Sequence, residues 1–323
     1  MGDPAGVGRL ITRMAWEALR SEPDAAFYVI APPEIFSQSG PIVEIDEPEA
    51  ARGCFEAALP VFGIEAVCGA WQPGVPDVGA APAITESIAL AVRHVLAGVA
   101  GGVVTNPIAK ALLYEAGFPH PGHTEFLASL CAPDDRARPQ PVMMLVGGGL
   151  RVALATIHQP LRQAIDAITE ESLVNTAMIV RHALAQDFGI NLPRLAFTGL
   201  NPHAGEAGTL GQEEQTIINP AAAALRERGV DISDARPADT VFAEALEGRF
   251  DAVIAMTHDQ GLIPVKTLDL WNGVNTTLGL PFIRTSPDHG TAYDAAAIGQ
   301  ARPESLIAAI RLARAMAYNR FGR

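Results

Sequence analysis

The sequence predicts an α/β protein with a largely parallel sheet, and three observations carry that expectation. Short apolar runs of strand length alternate with longer segments of helical period. Three of those runs, at 152–157, 195–200 and 252–257, lead into loops that carry a histidine. The chain has 323 residues, more than one hydrophobic core comfortably serves, so two lobes are expected.

In chain order, residues 11–19 have a helical pattern and 25–31 read as a strand stopped by Pro32-Pro33. Residues 48–68 are weakly patterned, and 69–83, rich in Gly and Pro, read as a surface loop. A stronger helix covers 85–97, with Thr85 or Ser87 available to cap it. Strands are expected at 102–105, 142–146, 152–157, 195–200 and 252–257, and long helices at 170–185, 212–228 and 304–318. Gly147-Gly148-Gly149 sits between two strands and reads as a hairpin turn. Gly2-Asp3-Pro4-Ala5-Gly6-Val7-Gly8 looks like a strand-to-helix loop, although no strand signal stands ahead of it. Asp3-Pro4 spoils it as a dinucleotide fingerprint.

Composition excludes several classes. Hydrophobic residues make up 49% and charged residues 18%, ample for a packed core and contrary to disorder. The net charge is -13, from 23 basic and 36 acidic residues with no run of Lys or Arg, so no nucleic-acid footprint is expected. An anionic substrate would therefore need a few cations concentrated at its site. Cys54, Cys68 and Cys131 form no C-x-x-C pair, which points to a reducing cytoplasm. The first residues lack the charged and apolar regions of a signal peptide. The most apolar stretch, 87–104, is broken by Arg93-His94 and Gly101-Gly102. It reads as a buried helix running into a strand, not as a membrane span.

His158, His203 and His258 each follow one of the three apolar runs. Residues just past the carboxyl ends of parallel strands line the ligand crevice of an open sheet. Singly, such a histidine is a cap or a surface residue. Together, three of them with an open position suit a catalytic divalent metal, zinc being the usual occupant. Thr124, after Pro121-Gly122-His123, either caps a helix or opens an anion site at free backbone N–H groups. Lys266, Asn275 and Arg284 lie in separate segments punctuated by Gly or Pro. Each alone is a solvated surface residue, whereas together they have the donors of a phosphate cradle.

The same segments resemble a known family. They include Gly2 to Gly8, Val104-Thr105-Asn106-Pro107-Ile108-Ala109-Lys110 and Pro121-Gly122-His123-Thr124-Glu125-Phe126. Thr156-Ile157-His158-Gln159-Pro160-Leu161-Arg162 and Gly199-Leu200-Asn201-Pro202-His203-Ala204-Gly205-Glu206 follow. Ala238-Asp239-Thr240, His258-Asp259-Gln260-Gly261 and the block from Gly273 to Ala292 complete the set. In this order, over essentially the whole chain, they resemble the 4-hydroxythreonine-4-phosphate dehydrogenases, the PdxA family of vitamin B6 synthesis. The chain departs from the usual motifs at Arg9-Leu10, Gln159 and Thr257.

The resemblance implies a fold like the isocitrate and isopropylmalate dehydrogenases, two α/β/α lobes with the active site in the cleft between them. Residues 1–118 with 264–323 would form the NAD-side lobe, and 119–263 the lobe for metal and dimerisation. It implies an NAD- or NADP-dependent oxidoreductase of the cytoplasm, homodimeric, with one divalent metal (Zn, Mg or Co) per subunit and one metal ligand coming from the partner chain. The metal ligands fall on His158, His203 and His258, and the substrate contacts on His123, Thr124, Lys266, Asn275 and Arg284. By superfamily analogy, Asp288, His289, Gly290, Thr291 and Ala292 hold the nucleotide. Asp239, Asp259 and Lys266 are the candidate proton acceptors. The implied reaction oxidises and decarboxylates 4-phosphohydroxy-L-threonine. Alternatives are a 4-phospho-D-threonate or 4-phospho-D-erythronate dehydrogenase, a dihydrodiol dehydrogenase, a metal-dependent hydrolase, and a catalytically silent metal- and phosphate-binding paralogue.

Overall fold

Val, Ile, Leu and Ala concentrate in short runs, and in the computed structural model these runs become the strands. The structure describes residues 1–37, 40–119, 123–132 and 138–322, with backbone only at 123–125. Among them the strands are β1 (Val29–Ala31), β2 (Ile42–Ile45), β3 (Leu59–Gly63), β4 (Val103–Val104), β5 (Val142–Gly147), β6 (Leu150–Leu154), β7 (Leu195–Phe197), β8 (Ala252–Ala255), β9 (Val274–Leu278) and β10 (Arg284–Pro287). The chain divides into two compact units. Unit 1 is Met1–Gln140 with Leu280–Ala317, and unit 2 is Pro141–Gly279 with Tyr318–Arg323.

In unit 1 a small parallel sheet has the order β1-β3-β2, and β4 pairs parallel with β10. Trp16, on helix Gly8–Leu19, packs with Leu19, Phe36, Leu59 and Val61 beneath that sheet. Its indole N–H donates to Phe55 O at 2.7 Å, which satisfies the one polar atom of a buried ring.

In unit 2 the strand order is β9-β5-β6-β8-β7. Along β8 successive side chains alternate between two apolar layers. Ile254 joins Leu173, Val180, Leu184 and Phe197, while Val253 and Ala255 join Leu145, Val152 and Val265 on the other face. Helices therefore cover both faces, which is why these strands read as unbroken apolar runs rather than as alternation. Helix Glu170–Asp187 is opened by a capping box in which Thr169 and Ser172 each accept the other's backbone N–H.

Two expectations are corrected, both of helix bounds, while the largely parallel sheet contains one strand, β5, that runs antiparallel to its neighbours β6 and β9. The cause is the tight turn at Gly148-Gly149 (φ 57° and 84°), a two-residue hairpin that forces the next strand to reverse. The helix expected at 85–97 is Ala81–Leu96, started by Pro82 in its first turn. Thr85 and Ser87 therefore do not cap it; their hydroxyls donate to Ala81 O at 2.9 Å and Ile84 O at 2.8 Å. The helix expected at 212–228 is a π-turn, Glu214–Ile218, followed by helix Asn219–Glu227. Pro220 lacks an N–H, and the Asn219 N–H reaches back to Glu214 O instead of one residue less.

Helix His258–Leu268 lies against β6 and β8 through Gly261. A Cβ there would stand 2.4 Å from Leu154 Cδ2 and 3.1 Å from Val152 Cγ1. Among the described residues no helix is long and apolar enough to cross a membrane. Gly261→Val is expected to lower stability by about 1–3 kcal/mol, because the added side chain overpacks that seam. Urea unfolding midpoints of the two proteins measure it, and equal midpoints would show that the seam can open at no cost.

Candidate metal and substrate site

β6, β8 and β7 are parallel neighbours in register, Leu154 facing Ala255 and Phe197 facing Ile254, so their carboxyl ends stop side by side. Each end carries one of the expected histidines. His158 follows β6, and His258 is the first residue of helix His258–Leu268 beyond β8; their ring centroids are 5.5 Å apart. His203 follows β7 and is exposed. Among the described residues no three His, Cys, Asp or Glu side chains gather as a metal set within one chain. The structure thus brings His158 and His258 together and leaves His203 on the neighbouring strand end.

Two of the three histidines have left-handed backbone. His158 has φ 42°, and His203 to Ala207 form a left-handed turn with φ 52°, 51°, 75°, 41° and 55°. Only Gly205 adopts that region freely. Each of the other residues costs on the order of 1–2 kcal/mol, and such strain collects at functional sites. His258 has ordinary helical geometry and is held by a neighbour, with its Nδ1 2.9 Å from Asp259 Oδ1. A carboxylate at Nδ1 favours the tautomer that carries its proton there and presents the Nε2 lone pair to a ligand.

Gln260, which the sequence reading did not single out, ties two of the strand ends together. Its Oε1 accepts the Thr257 N–H at 3.2 Å and the Thr198 hydroxyl at 3.3 Å, and its Nε2 donates to Gly199 O at 3.0 Å. The Thr198 hydroxyl oxygen in turn accepts the Met256 N–H at 3.0 Å. The spacing from Thr257 to Gln260 is that of a capping box, a signal present in the sequence.

Lys266 shares a groove with His258, Asp259, Leu262, Ile263 and Thr267. His258, Leu262 and Lys266 recur at the spacing of one helix face. Asn275, on β9, has its Oδ1 buried with no hydrogen-bond partner among the described residues. Asp239 is exposed in the turn ahead of helix Val241–Leu246.

In unit 1, Arg284 on β10 is buried, and its Nε and Nη2 donate to the Thr105 hydroxyl at 3.2 and 2.8 Å. Burial pushes the guanidinium down to about 10, so it stays cationic at neutral pH. The loop that begins at Gly2 is fixed at both of its neighbours. The Asp3 N–H donates to Pro107 O at 3.0 Å, and the Val7 N–H donates to Thr291 O at 2.9 Å. The Tyr293 hydroxyl donates a short hydrogen bond to the buried Asp3 carboxylate, and burial together with that carboxylate raises the Tyr293 hydroxyl above its ordinary range.

Of the segment Asp288, His289, Gly290, Thr291 and Ala292, Thr291 thus lies against the N-terminal loop, while the Asp288 N–H donates to the Ser305 hydroxyl. Ala292 is left-handed at φ 47°, and a Cβ on Gly290 would meet nothing within 4 Å, leaving the backbone open to an approaching ligand. Helix His123–Cys131 begins at His123, but the side chains of His123 and Thr124 lie outside the described residues.

A family model described as "Pyridoxal phosphate biosynthetic protein PdxA" matches residues 25–313. The 4-hydroxythreonine-4-phosphate dehydrogenase of Caulobacter vibrioides is 50% identical over 323 residues, which cover 99% of this chain and 96% of that protein. The crystal structure of a 4-hydroxythreonine-4-phosphate dehydrogenase from Klebsiella pneumoniae superimposes with a TM-score of 0.85 at 35% identity, over 98% of each chain. A terephthalate 1,2-cis-dihydrodiol dehydrogenase from Burkholderia xenovorans is more distant, at 25% identity and a TM-score of 0.66 over 98% of this chain and 96% of that one. On a family match over most of its length and relatives that share half its residues, the chain belongs to the PdxA family.

Proposed function

We propose that this dehydrogenase oxidises 4-phosphohydroxy-L-threonine at C3 and releases CO2 from the resulting β-keto acid, giving 3-amino-2-oxopropyl phosphate for pyridoxal 5'-phosphate synthesis. The observation that carries the reading is the His158–His258 pair at adjacent strand ends, with Asp259 orienting His258. Two converging imidazoles, one with its Nε2 presented, are the donor set of a divalent metal rather than of a dry core. A third imidazole, from His203, completes the set in a homodimer with one ligand contributed by the second copy. When bound, the metal supplies Lewis-acid polarisation of the substrate hydroxyl, and NAD or NADP accepts the hydride.

The remaining work falls to this chain's own side chains. Arg284, Lys266 and Asn275, with His123 and Thr124, hold the phosphate end. The buried guanidinium of Arg284 supplies a forked, permanently charged donor, and the buried Asn275 amide a polar atom that needs a ligand. Asp259 is committed to His258, so proton removal from the C3 hydroxyl falls to Lys266, in the same groove, or to Asp239. Asp288 to Ala292 hold the nucleotide. Unit 1 is then the nucleotide side, and unit 2 the metal and dimerisation side.

A second reading has a specific basis. The terephthalate 1,2-cis-dihydrodiol dehydrogenase to which the chain is similar is named for a substrate without a phosphate. Retention of Lys266, Asn275 and Arg284 favours the phosphorylated class, which also contains 4-phospho-D-threonate and 4-phospho-D-erythronate.

NADH formation by the metal-reconstituted protein should be strong with 4-phosphohydroxy-L-threonine and weak with 4-phospho-D-threonate. The reverse order would move the chain to sugar-acid catabolism. Arg284→Ala should raise the substrate KM by the equivalent of about 2–3 kcal/mol while KM for NAD changes little, and an unchanged substrate KM would place the phosphate elsewhere. His258→Ala should abolish metal binding and turnover together, as should dialysis against a chelator. Full activity in either experiment would remove the metal from the mechanism.

A further inference from the structure

One buried acid in unit 2 takes no part in this mechanism. Glu214 is only 2% exposed and opens the π-turn Glu214–Ile218. Its Oε1 accepts the backbone N–H groups of Leu200 and Asn201 at 2.8 and 2.7 Å, and its Oε2 accepts the Asn201 side-chain amide at 3.0 Å. Those donors immediately precede Pro202-His203. The same carboxyl group lies under the left-handed turn, since a Cβ on Gly205 would stand 2.5 Å from Oε2 and one on Gly199 3.2 Å from Oε1. Glu213 takes the other hydrogen of the Asn201 amide at 2.7 Å, so Asn201 is clamped between two carboxyl groups.

A carboxyl group is costly to bury unless hydrogen bonds replace its water. Among the described residues the replacement comes from the segment that leads into His203. Two consecutive backbone N–H groups aimed at one oxygen hold the chain in a concave loop, which sets the starting direction of the turn. π-turns of one extra residue gather at functional sites, and this one lodges Glu214 beneath that turn.

We propose that Glu214 is a positioning residue for His203: its carboxyl group holds the left-handed turn in the one arrangement that aims the His203 imidazole at the divalent cation. The inference rests on His203 being a metal ligand. Gln in place of Glu214 keeps size and one acceptor oxygen, but its NH2 group must face a donor in either orientation, the Asn201 side-chain amide or the two backbone N–H groups of Leu200 and Asn201.

The test titrates Co2+ into the metal-free full-length protein, with affinity read by visible absorption and calorimetry. Amide exchange at Leu200 and Asn201 and the KM for NAD are measured beside it. Glu214→Gln is expected to weaken Co2+ binding tenfold or more and to speed exchange at both amides at least tenfold, with KM for NAD unchanged within twofold. Gly205→Ala, whose methyl presses on the same oxygen, is expected to weaken Co2+ binding similarly, and it carries the test if Glu214→Gln does not fold. A Co2+ affinity within twofold of the parent, in a variant whose amides exchange fast, would overturn the proposal and leave Glu214 a purely structural role. His203→Ala is the control: Co2+ affinity unchanged in that variant overturns the metal reading itself, a result distinct from an unchanged Glu214→Gln.

Discussion

The parallel pairing of β6 with β8 and of β8 with β7 is the constraint on which the candidate metal site depends. Each strand is only three to five residues long, and the register makes all three stop at the same level. No side chain has to find its place over a long distance. Backbone hydrogen bonding delivers three loops to one edge, and the first residues of those loops then decide the chemistry. A shift of one residue in β8 would turn Ile254 out of the layer it shares with Phe197, so the hydrophobic core on both faces fixes the level of His258.

Much of this was legible because the signals were local. The apolar runs ending before His158, His203 and His258 were visible as strands with histidine-bearing loops. The hairpin at Gly147 to Gly149 was visible as well, although its consequence, an antiparallel β5, was not drawn from it. The start of helix Ala81–Leu96 was misplaced because Pro82 looks like loop punctuation and is equally suited to a first helical turn. The break at Glu214 was hidden for a related reason. Pro220 lies inside an otherwise continuous helical pattern, and periodicity does not report whether the hydrogen bonds before a proline widen or stop.

What was not legible is long-range. Gln260 stood in a quoted motif, but its role in tying Gly199 to Thr257 depends on β7 and β8 being neighbours, which the sequence does not state. Arg284 and Thr105 are far apart in sequence and meet because β10 pairs with β4. The left-handed turn at His203 to Ala207 had no propensity signal beyond Gly205, because Ala and Glu rarely adopt it. The resemblance supplied residue identities for the site; the structure adds which residues carry strain and which relieve it.

The link between Asp3 and Tyr293 joins residues separated by 290 positions, within a unit whose two pieces stand in sequence on either side of Pro141–Gly279, the main stretch of unit 2. On a ribosome adding about 5–20 residues per second, the N-terminal loop waits roughly 15–60 s for its partner to be made. Nearly all of unit 2 emerges as one uninterrupted stretch in that interval and has no such wait. The segment from Thr291 to Tyr293 is therefore among the last parts to find its native contacts. Until then Ile11 and Ala15, on helix Gly8–Leu19, lack Ala296 and Leu306, the partners that complete their apolar cluster, whereas Trp16 already has Phe36, Leu59 and Val61.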